Sequence, residues 1–197
     1  MRVFKAWDVD CAYIASGFFK DFTTRLADTA PDFGIDEEME GKRVFLFGGY
    51  KEDSTELCEL RDALIRCGIN AHAHRLSTPE RGELPLRWHA KVAVFLSGSK
   101  PVLAIVGSSN FTKPTMFGGS EHKSIASPDC VQVEADSFYW LRSHMNTDQA
   151  VHDAFHYWGG GRLAPHIAFE HEKFDEEIEK LIESTYSRLL TFRWHKL

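Results

Sequence analysis

The sequence predicts an α/β fold, a mixed and largely parallel central β-sheet with helices on both faces, on the basis of three observations. First, the short apolar run Val44–Phe47 ends at two glycines, which is typical of a central parallel strand. Second, a segment with helical spacing and a further strand, Ile69–Leu76, follow it, and together they form a βαβ unit. Third, the stretches 88–96 and 102–112 flank a turn of serine, glycine and proline, which predicts a β-hairpin.

Length and composition indicate a single globular unit. The chain has 197 residues, of which 43% are apolar and 26% charged, so it is long enough to bury a core. We expect one domain over residues 1–197, with its core at about 11–136 and a helical C-terminal extension at about 137–197. No apolar run approaches the ~20 residues of a membrane span, no signal peptide is evident, and the scattered cysteines include no CxxC pair. These features predict a cytoplasmic protein.

The elements of the first half of the chain follow from local patterns. Residues 1–10 have short-strand character, and Cys11–Ala15 is expected to be a buried strand. An apolar stripe predicts a helix from about Phe18 to Asp28. Capping-box spacing at Asp53–Glu56 begins the helix of the βαβ unit, and Gly68 ends it.

The second half of the chain predicts one strand and three helices. Cys130–Glu134 alternates between apolar and polar residues, as a strand does. Asp136 or Ser137 is expected to begin one helix, Thr147 begins a second, and His171–Leu190 forms an amphipathic third. The last helix has five residues that we expect to face inward: Phe174, Ile178, Leu181, Ile182 and Leu189.

The predicted hairpin brings polar residues of two short motifs together. Side chains of a strand alternate between its faces, so His89 and Lys91 point the same way. With the turn centred near Ser99, antiparallel register sets His89 opposite Ser109. The same register sets Lys91 opposite Gly107.

Asn110 then lies beside the imidazole, so one histidine, one lysine and one asparagine converge at the open end of the hairpin. An imidazole can act as a nucleophile, and an ammonium and an amide can hold phosphoryl oxygens as their charge changes. A lysine in this position is poor core chemistry, because buried lysine is rarely left unpaired. The arrangement therefore suits attack on a phosphodiester.

The order HxK followed by GSxN resembles the phospholipase D-like (HKD) superfamily, in particular its single-motif bacterial nucleases and metal-independent restriction endonucleases. The resemblance covers about residues 11–136 and implies four catalytic residues: His89, Lys91, Asn110 and Glu134. Glu134 is the position that matches the family's acid, which orients the histidine. Four polar residues around the second motif are the expected substrate contacts: Ser108, Ser109, Thr112 and Lys113. The family usually has a structural aspartate five residues after the lysine, where this chain has Leu96.

The resemblance implies a two-step mechanism without metal or cofactor. His89 attacks phosphorus to give a phosphohistidine, Lys91 and Asn110 bind the oxygens, and water then hydrolyses the adduct. A second imidazole must protonate the leaving oxygen. Because only one HxK of the chain is followed by GSxN, the second His89 is expected from a twofold-related subunit, which predicts a homodimer with one composite site.

DNA or RNA is the expected substrate, with DNA favoured. No basic amphipathic helix suggests a membrane surface. The net charge of −6 and Leu96 favour an alternative, a catalytically degenerate domain that binds nucleic acid or a protein partner. A third possibility is a catalytic module whose specificity lies on a separate subunit.

Two histidine pairs have spacings that can bind metal, but neither is predicted to do so. His152 and His156 lie four residues apart with an aspartate between them, resembling HExxH, but the shorter acid is poorly placed and no clear third ligand follows. His72 and His74 share a strand face and could pair with His89. We interpret them as partly buried polar residues near the sheet end.

Overall fold

The secondary structure is described for residues 2–17, 19–20, 37–49, 54–77, 90–107, 111–112, 136–158 and 174–197 of a computed structural model. The strands in these ranges are β1 (Cys11–Ser16), β2 (Phe19–Lys20), β3 (Arg43–Gly48), β4 (Asn70–Leu76), β5 (Lys91–Ser97), β6 (Lys100–Gly107), β7 (Phe111–Thr112), β8 (Asp136–Trp140) and β9 (Trp194–Lys196). The helices are α1 (Arg2–Lys5), α2 (Thr55–Arg66), α3 (Met145–Trp158) and α4 (Phe174–Thr191), with a 3-10 turn at Glu37–Met39. Within these ranges no helix is long and apolar enough to cross a membrane.

Seven of the described strands form one mixed sheet in the order β8-β6-β5-β1-β3-β4-β9. Its centre is parallel, because Cys11 of β1 pairs with Arg43 of β3, and Arg43 pairs with Asn70 of β4. The strands outside this centre, β5, β6, β8 and β9, run antiparallel to their neighbours. The predicted mixed α/β sheet is confirmed, with its parallel pairing concentrated at the centre.

The βαβ unit lies where the sequence predicts it. Val44 and Leu46 of β3 are buried, and α2 turns Leu57 and its other apolar residues towards them. A Cβ atom added at Gly48 would lie 2.8 Å from Cδ2 of Leu57, so glycine lets the helix approach the strand closely. Gly68 has a φ of +80° directly after the helix, the left-handed conformation that commonly ends helices at glycine.

Helices cover both faces of the sheet, as predicted. We call the two faces by their residues: the front face carries Leu46 and Phe95, and the back face carries Tyr13 and Phe45. The rings of Phe4 in α1 and Phe95 lie 6.4 Å apart, so α1 packs on the front face with α2. Tyr186 of α4 meets Tyr13 edge-on at 5.0 Å, which places α4 on the back face.

The N-terminal residues form a helix, so the strand expected within residues 1–10 is wrong. α1 buries Val3 and Phe4. The carbonyl groups of Phe4 and Ala6 accept hydrogen bonds from the Lys42 ammonium at 2.7 and 2.9 Å. Since a cation is favourable at a helix C-terminus, this remote lysine stabilises a helix that is too short to be stable alone.

The residues from Asp136 to Trp140 form strand β8, so the helix expected to begin at Asp136 or Ser137 is wrong. β8 pairs antiparallel with β6, where Leu103 lies opposite Trp140. Aromatic residues such as Phe138 favour strands when a neighbouring strand is available. The edge of β6 supplies that neighbour, and it is not visible in the local sequence.

Helix α3 begins at Met145, two residues before the expected start at Thr147. Asp8 lies at this helix start, where its carboxylate accepts hydrogen bonds from the hydroxyl and the backbone N–H of Thr147 at 2.9 and 3.3 Å. An acid from outside the helix thus performs the capping role. In α4, Ile182 is buried as expected, but Leu181 is 41% exposed, so its inward assignment is wrong.

Three other expectations differ from the structure or lie outside its description. Phe19 and Lys20 form β2, so the helix expected from Phe18 does not include them, and its remainder falls outside the described residues. The expected strand Cys130–Glu134 also falls outside them. Strand β9 was not expected; its Leu76–Trp194 pairing adds the C-terminal segment to the sheet.

Candidate functional site

One edge of the sheet collects the chain ends that carry the two sequence motifs. The parallel strands end there at Ser16, Gly48 and Leu76, β5 begins there at Lys91, and β6 ends there at Gly107. We call this the carboxyl edge. The chain passes from β1 outward through β3 and β4 and then returns to β5 on the other side of β1, so the strand order reverses beside β1. Such reversal points at carboxyl ends are where open α/β sheets bind ligands.

The hairpin register agrees with the sequence prediction at the carboxyl edge. Lys91 pairs with Gly107, and the ladder continues through the buried strands. The turn contains Gly98, with φ +61°, and pairs Ser97 with Lys100. This turn alone would give a register one residue different, but a bulge beside Phe95 restores the predicted pairing. The prediction for Lys91 and Gly107 is therefore confirmed.

Lys91 is the part of the predicted catalytic set whose side chain the structure describes. The side chain is half-buried on the front face, on the same side as Ala93 and Phe95. Within the described ranges, its ammonium has no hydrogen bond or ion pair. A half-buried ammonium at this edge is a group that can bind an anion through charge-assisted hydrogen bonds.

An acidic residue shares the row of Lys91 across the hairpin. Asp136 of β8 pairs with Gly107, which in turn pairs with Lys91, so all three residues lie on the front face. Two strand spacings separate Asp136 from Lys91, about 10 Å. Sequence reasoning missed this position because it assigned Asp136 to a helix start. The aromatic residues Phe138 and Trp140, which are typical of strands, are the signal in the sequence that could have revealed β8.

A second, two-stranded sheet lies just beyond the carboxyl edge. β2 follows β1, β7 follows the second motif, and the two pair in parallel with Phe19 beside Phe111 and Lys20 beside Thr112. Phe19 is buried and β2 lies against α2. The structure thus joins the segment after β1 to the segment that contains Thr112, one of the predicted substrate contacts.

The other predicted site residues lie outside the described ranges. The catalytic candidates among them are His89, Asn110 and Glu134. The substrate-contact candidates among them are Ser108, Ser109 and Lys113. The functions assigned to these residues, and to Lys91 and Thr112, remain predictions.

Leu96, which stands where the family usually has an aspartate, lies far from the candidate site. It is buried on the back face, whereas Lys91 is on the front face. Five residues of extended strand separate the two, about 16 Å. A carboxylate does hold this hairpin turn, but it belongs to Asp10, which accepts a hydrogen bond from the Gly98 N–H at 2.8 Å. The substitution at Leu96 therefore removes no group near Lys91.

His72 and His74 lie on the back face, away from Lys91. Their rings stack on Phe45 and Phe47 at centroid distances of 5.0 and 5.1 Å. Burial, followed by the positive charges nearby, lowers the pKa of His74, whose buried Nδ1 forms no hydrogen bond of good geometry within the described ranges. Both residues are therefore part of an aromatic layer of the back face.

Of the two histidines in α3, His152 contacts residues of its own helix and of β8. Nε2 of His152 lies 3.6 Å from Oδ1 of Asp148, and the same oxygen accepts a hydrogen bond from Trp140 Nε1 at 2.7 Å. The side chain of His156 falls outside the described set. Among the described residues, no cluster of three histidine, cysteine or acidic side chains could hold a metal ion.

The cysteines that the structure describes do not form a reactive site. Burial raises the pKa of the Cys11 thiol to about 11, so the thiolate that would act as a nucleophile is disfavoured at neutral pH. Cys58 and Cys67 are also free thiols. Their position in and beside α2 agrees with a packing role.

Comparisons with known proteins add little to this geometry. No protein-family model matches the chain, and no curated protein is significantly similar to it. Among solved structures, the chain is similar to polyphosphate kinase from Porphyromonas gingivalis, with 19% identity and a TM-score of 0.36. The match covers 94% of this chain and 29% of that one, so the chain spans less than a third of the enzyme's length. A TM-score this low establishes neither a common fold nor a common activity.

Proposed function

We propose that the chain is a metal-independent phosphodiesterase, an endonuclease that cleaves DNA through a phosphohistidine intermediate at a composite site in a homodimer. The observation that carries the proposal is the pairing of Lys91 with Gly107 at the carboxyl edge. This register sets the lysine of HxK beside the first residue of GSxN, where the strand order reverses. The half-buried ammonium of Lys91 at the same place supports an anionic substrate.

The two ladders around Gly107 define the described part of the proposed site. Lys91, Gly107 and Asp136 form one row across β5, β6 and β8. In our proposal Glu134, which comes two residues before Asp136 in the chain, orients His89, which comes two residues before Lys91.

The proposed first step exchanges one bond at phosphorus for another. An imidazole nitrogen of His89 attacks phosphorus, a P–N bond forms, and the P–O bond to the leaving oxygen breaks. Lys91 and Asn110 hold the non-bridging oxygens as their charge increases. His89 of the partner subunit, in its protonated form, gives its proton to the leaving oxygen.

The proposed second step reverses these roles. Water attacks the phosphohistidine, the now neutral imidazole of the partner subunit accepts its proton, and the P–N bond breaks. Free enzyme and the second product result. Because one chain supplies one HxK that is followed by GSxN, we propose that the general acid comes from a second copy.

The described helices do not favour binding to a lipid membrane. The first turn of α4 carries Asp175, Glu176 and Glu177, and a helix with this charge is unsuited to an anionic bilayer. The net charge of −6 disfavours broad nonspecific binding of nucleic acid, so a separate specificity subunit is compatible with the proposal.

The same acidic charge favours a second candidate, a catalytically degenerate domain that binds a partner or nucleic acid. Leu96 gives this alternative no support, because the residue lies on the opposite face and about 16 Å along the strand from Lys91.

A nuclease assay in EDTA tests the proposal. Wild-type protein should cleave DNA in EDTA, and His89→Ala should abolish cleavage, whereas exchange of the exposed His195 of β9 for alanine should not. In mixtures of wild-type and His89→Ala subunits, activity should fall with the square of the wild-type fraction, because both subunits supply the one site. Cleavage that requires added metal, or no cleavage of any nucleic acid, would overturn the nuclease. A linear fall in the mixtures would overturn the composite site alone.

A further inference from the structure

The short ladder between β2 and β7 brings a lysine to the carboxyl edge that neither motif contains. Lys20 is in register with Thr112, immediately beyond the GSxN motif. The ladder's position is fixed on one side by Phe19, which is 5% exposed and packs within the core beside α2. The backbone at Lys20 is therefore anchored by its neighbour.

Chain length limits how far this ladder can lie from Lys91. Phe19 follows Ser16 by three residues, and Ser16 comes one position after Ala15, which pairs with Val92. Three extended residues span at most about 10 Å, so Phe19 is within that distance of Ser16. Ser16 itself stands about 5 Å from the start of β5, one strand spacing away.

The second connection gives a similar limit. Phe111 follows Gly107, the partner of Lys91, by four residues, which span at most about 14 Å. Successive phosphates of one DNA strand advance by about 3.4 Å along the helix axis. Because both spans are upper limits, a cation on the β2–β7 ladder lies within a few phosphates of a phosphodiester that is bound at Lys91.

We propose that Lys20, placed in register with Thr112 at the carboxyl edge, binds a backbone phosphate that flanks the scissile one and thereby selects a polynucleotide. The inference rests on the phosphodiesterase site proposed above. It adds to that site a residue that distinguishes a polymer from a small diester, since an isolated phosphodiester has no second phosphate for Lys20. Lys91 neutralises the reacting phosphate, and Lys20 binds the polymer that carries it.

Two substrates separate this contribution from catalysis. Values of kcat/KM are measured in EDTA for a short DNA duplex and for bis(p-nitrophenyl) phosphate, at several salt concentrations. Lys20→Met should lower kcat/KM for DNA about tenfold more than for the small diester, because one charged hydrogen bond to the polymer is lost. The slope of log kcat/KM against log salt should fall by about 1 for DNA.

Two further variants complete the experiment. Lys20→Arg keeps the charge and should retain the wild-type ratio between the two substrates. Lys180→Met removes the same charge from an exposed position of α4, which packs on the back face, and should change neither ratio nor slope. Thermal unfolding of each variant identifies any loss of fold.

The outcomes distinguish this inference from the proposed function. If Lys20→Met lowers both substrates equally, or leaves the DNA slope unchanged while wild type is active, the role of Lys20 is overturned and the nuclease is not. If wild-type protein cleaves neither substrate, the proposed function fails, and this inference fails with it.

Discussion

The two ends of the β-sheet treat their charged groups differently. At the edge opposite the site, Asp10 binds Arg43 at 2.8 Å and the Gly98 N–H at 2.8 Å, and Lys42 binds the carbonyls that end α1. At the carboxyl edge, Lys91 is half-buried and its ammonium has no partner in the described part of the chain. One edge uses its charges to hold turns and helix ends together, and the described part of the other edge shows no such contact for Lys91.

Under the proposed function, this difference separates the structural charges of one edge from a functional charge at the other. A paired charge repays part of its desolvation through hydrogen bonds, whereas an unpaired, half-buried charge costs stability in the free protein. Such a cost is maintained at sites where the group acts on a ligand. Lys42 and Lys91 are therefore a matched pair, two half-buried lysines with opposite expected effects on activity and stability.

The largest expected effect comes from Lys91→Met. We expect kcat/KM for DNA to fall about 100- to 1000-fold, because a group that holds the charge of the transition state is lost. The free energy of unfolding should stay within about 0.5 kcal/mol of the wild-type value, since the ammonium makes no contact within the described residues that would be lost. Denaturant titration and cleavage assays check the two halves. A large loss of stability would show that Lys91 is a structural charge.

Lys42→Met is the control at the opposite edge. Here the free energy of unfolding should fall by about 2 kcal/mol, because two carbonyl groups at the end of α1 lose a charged donor. Cleavage per folded molecule should remain near the wild-type level. If Lys42→Met instead abolished activity in the folded protein, the division between the two edges would be incorrect.

A smaller effect on stability is expected from His74, a half-buried group of the back face. Burial lowers the pKa of His74 below its ordinary value of 6.5. The unfolded chain therefore binds a proton below pH 6.5 before the folded chain does, and stability is lost as the pH falls from 6.5 through the folded pKa. His74→Phe should remove this part of the acid sensitivity. Denaturant titrations from pH 8 downward check it, and identical profiles for both proteins would contradict it.

The sequence was sufficient where structure depends on neighbouring residues. The hairpin motif predicted that Lys91 pairs with Gly107, and apolar runs with a glycine after the helix predicted β3, α2 and β4. These elements follow from alternation, helical spacing and local turn residues. The predicted register was confirmed even though the turn differs by one residue, because a bulge compensates.

The sequence was insufficient where a remote partner decides the structure. Hydrogen bonds from Lys42 stabilise the end of α1, and pairing with the edge of β6 holds Phe138 in a strand. The pairing of Lys20 with Thr112 likewise joins segments far apart in the chain. No local pattern contains these partners, so propensity alone gave a strand for α1, a helix for β8 and no role for Lys20.

Trapping the covalent intermediate tests the central claim most directly. DNA is mixed with enzyme in EDTA and quenched with denaturant before turnover is complete, without acid, because phosphohistidine is acid-labile. We expect a covalent DNA adduct on His89, which should be absent in His89→Ala and should form in smaller amount in Lys91→Met. Cleavage without any adduct, or an adduct on another residue, would contradict the assignment of His89 and Lys91 as the centre of the site.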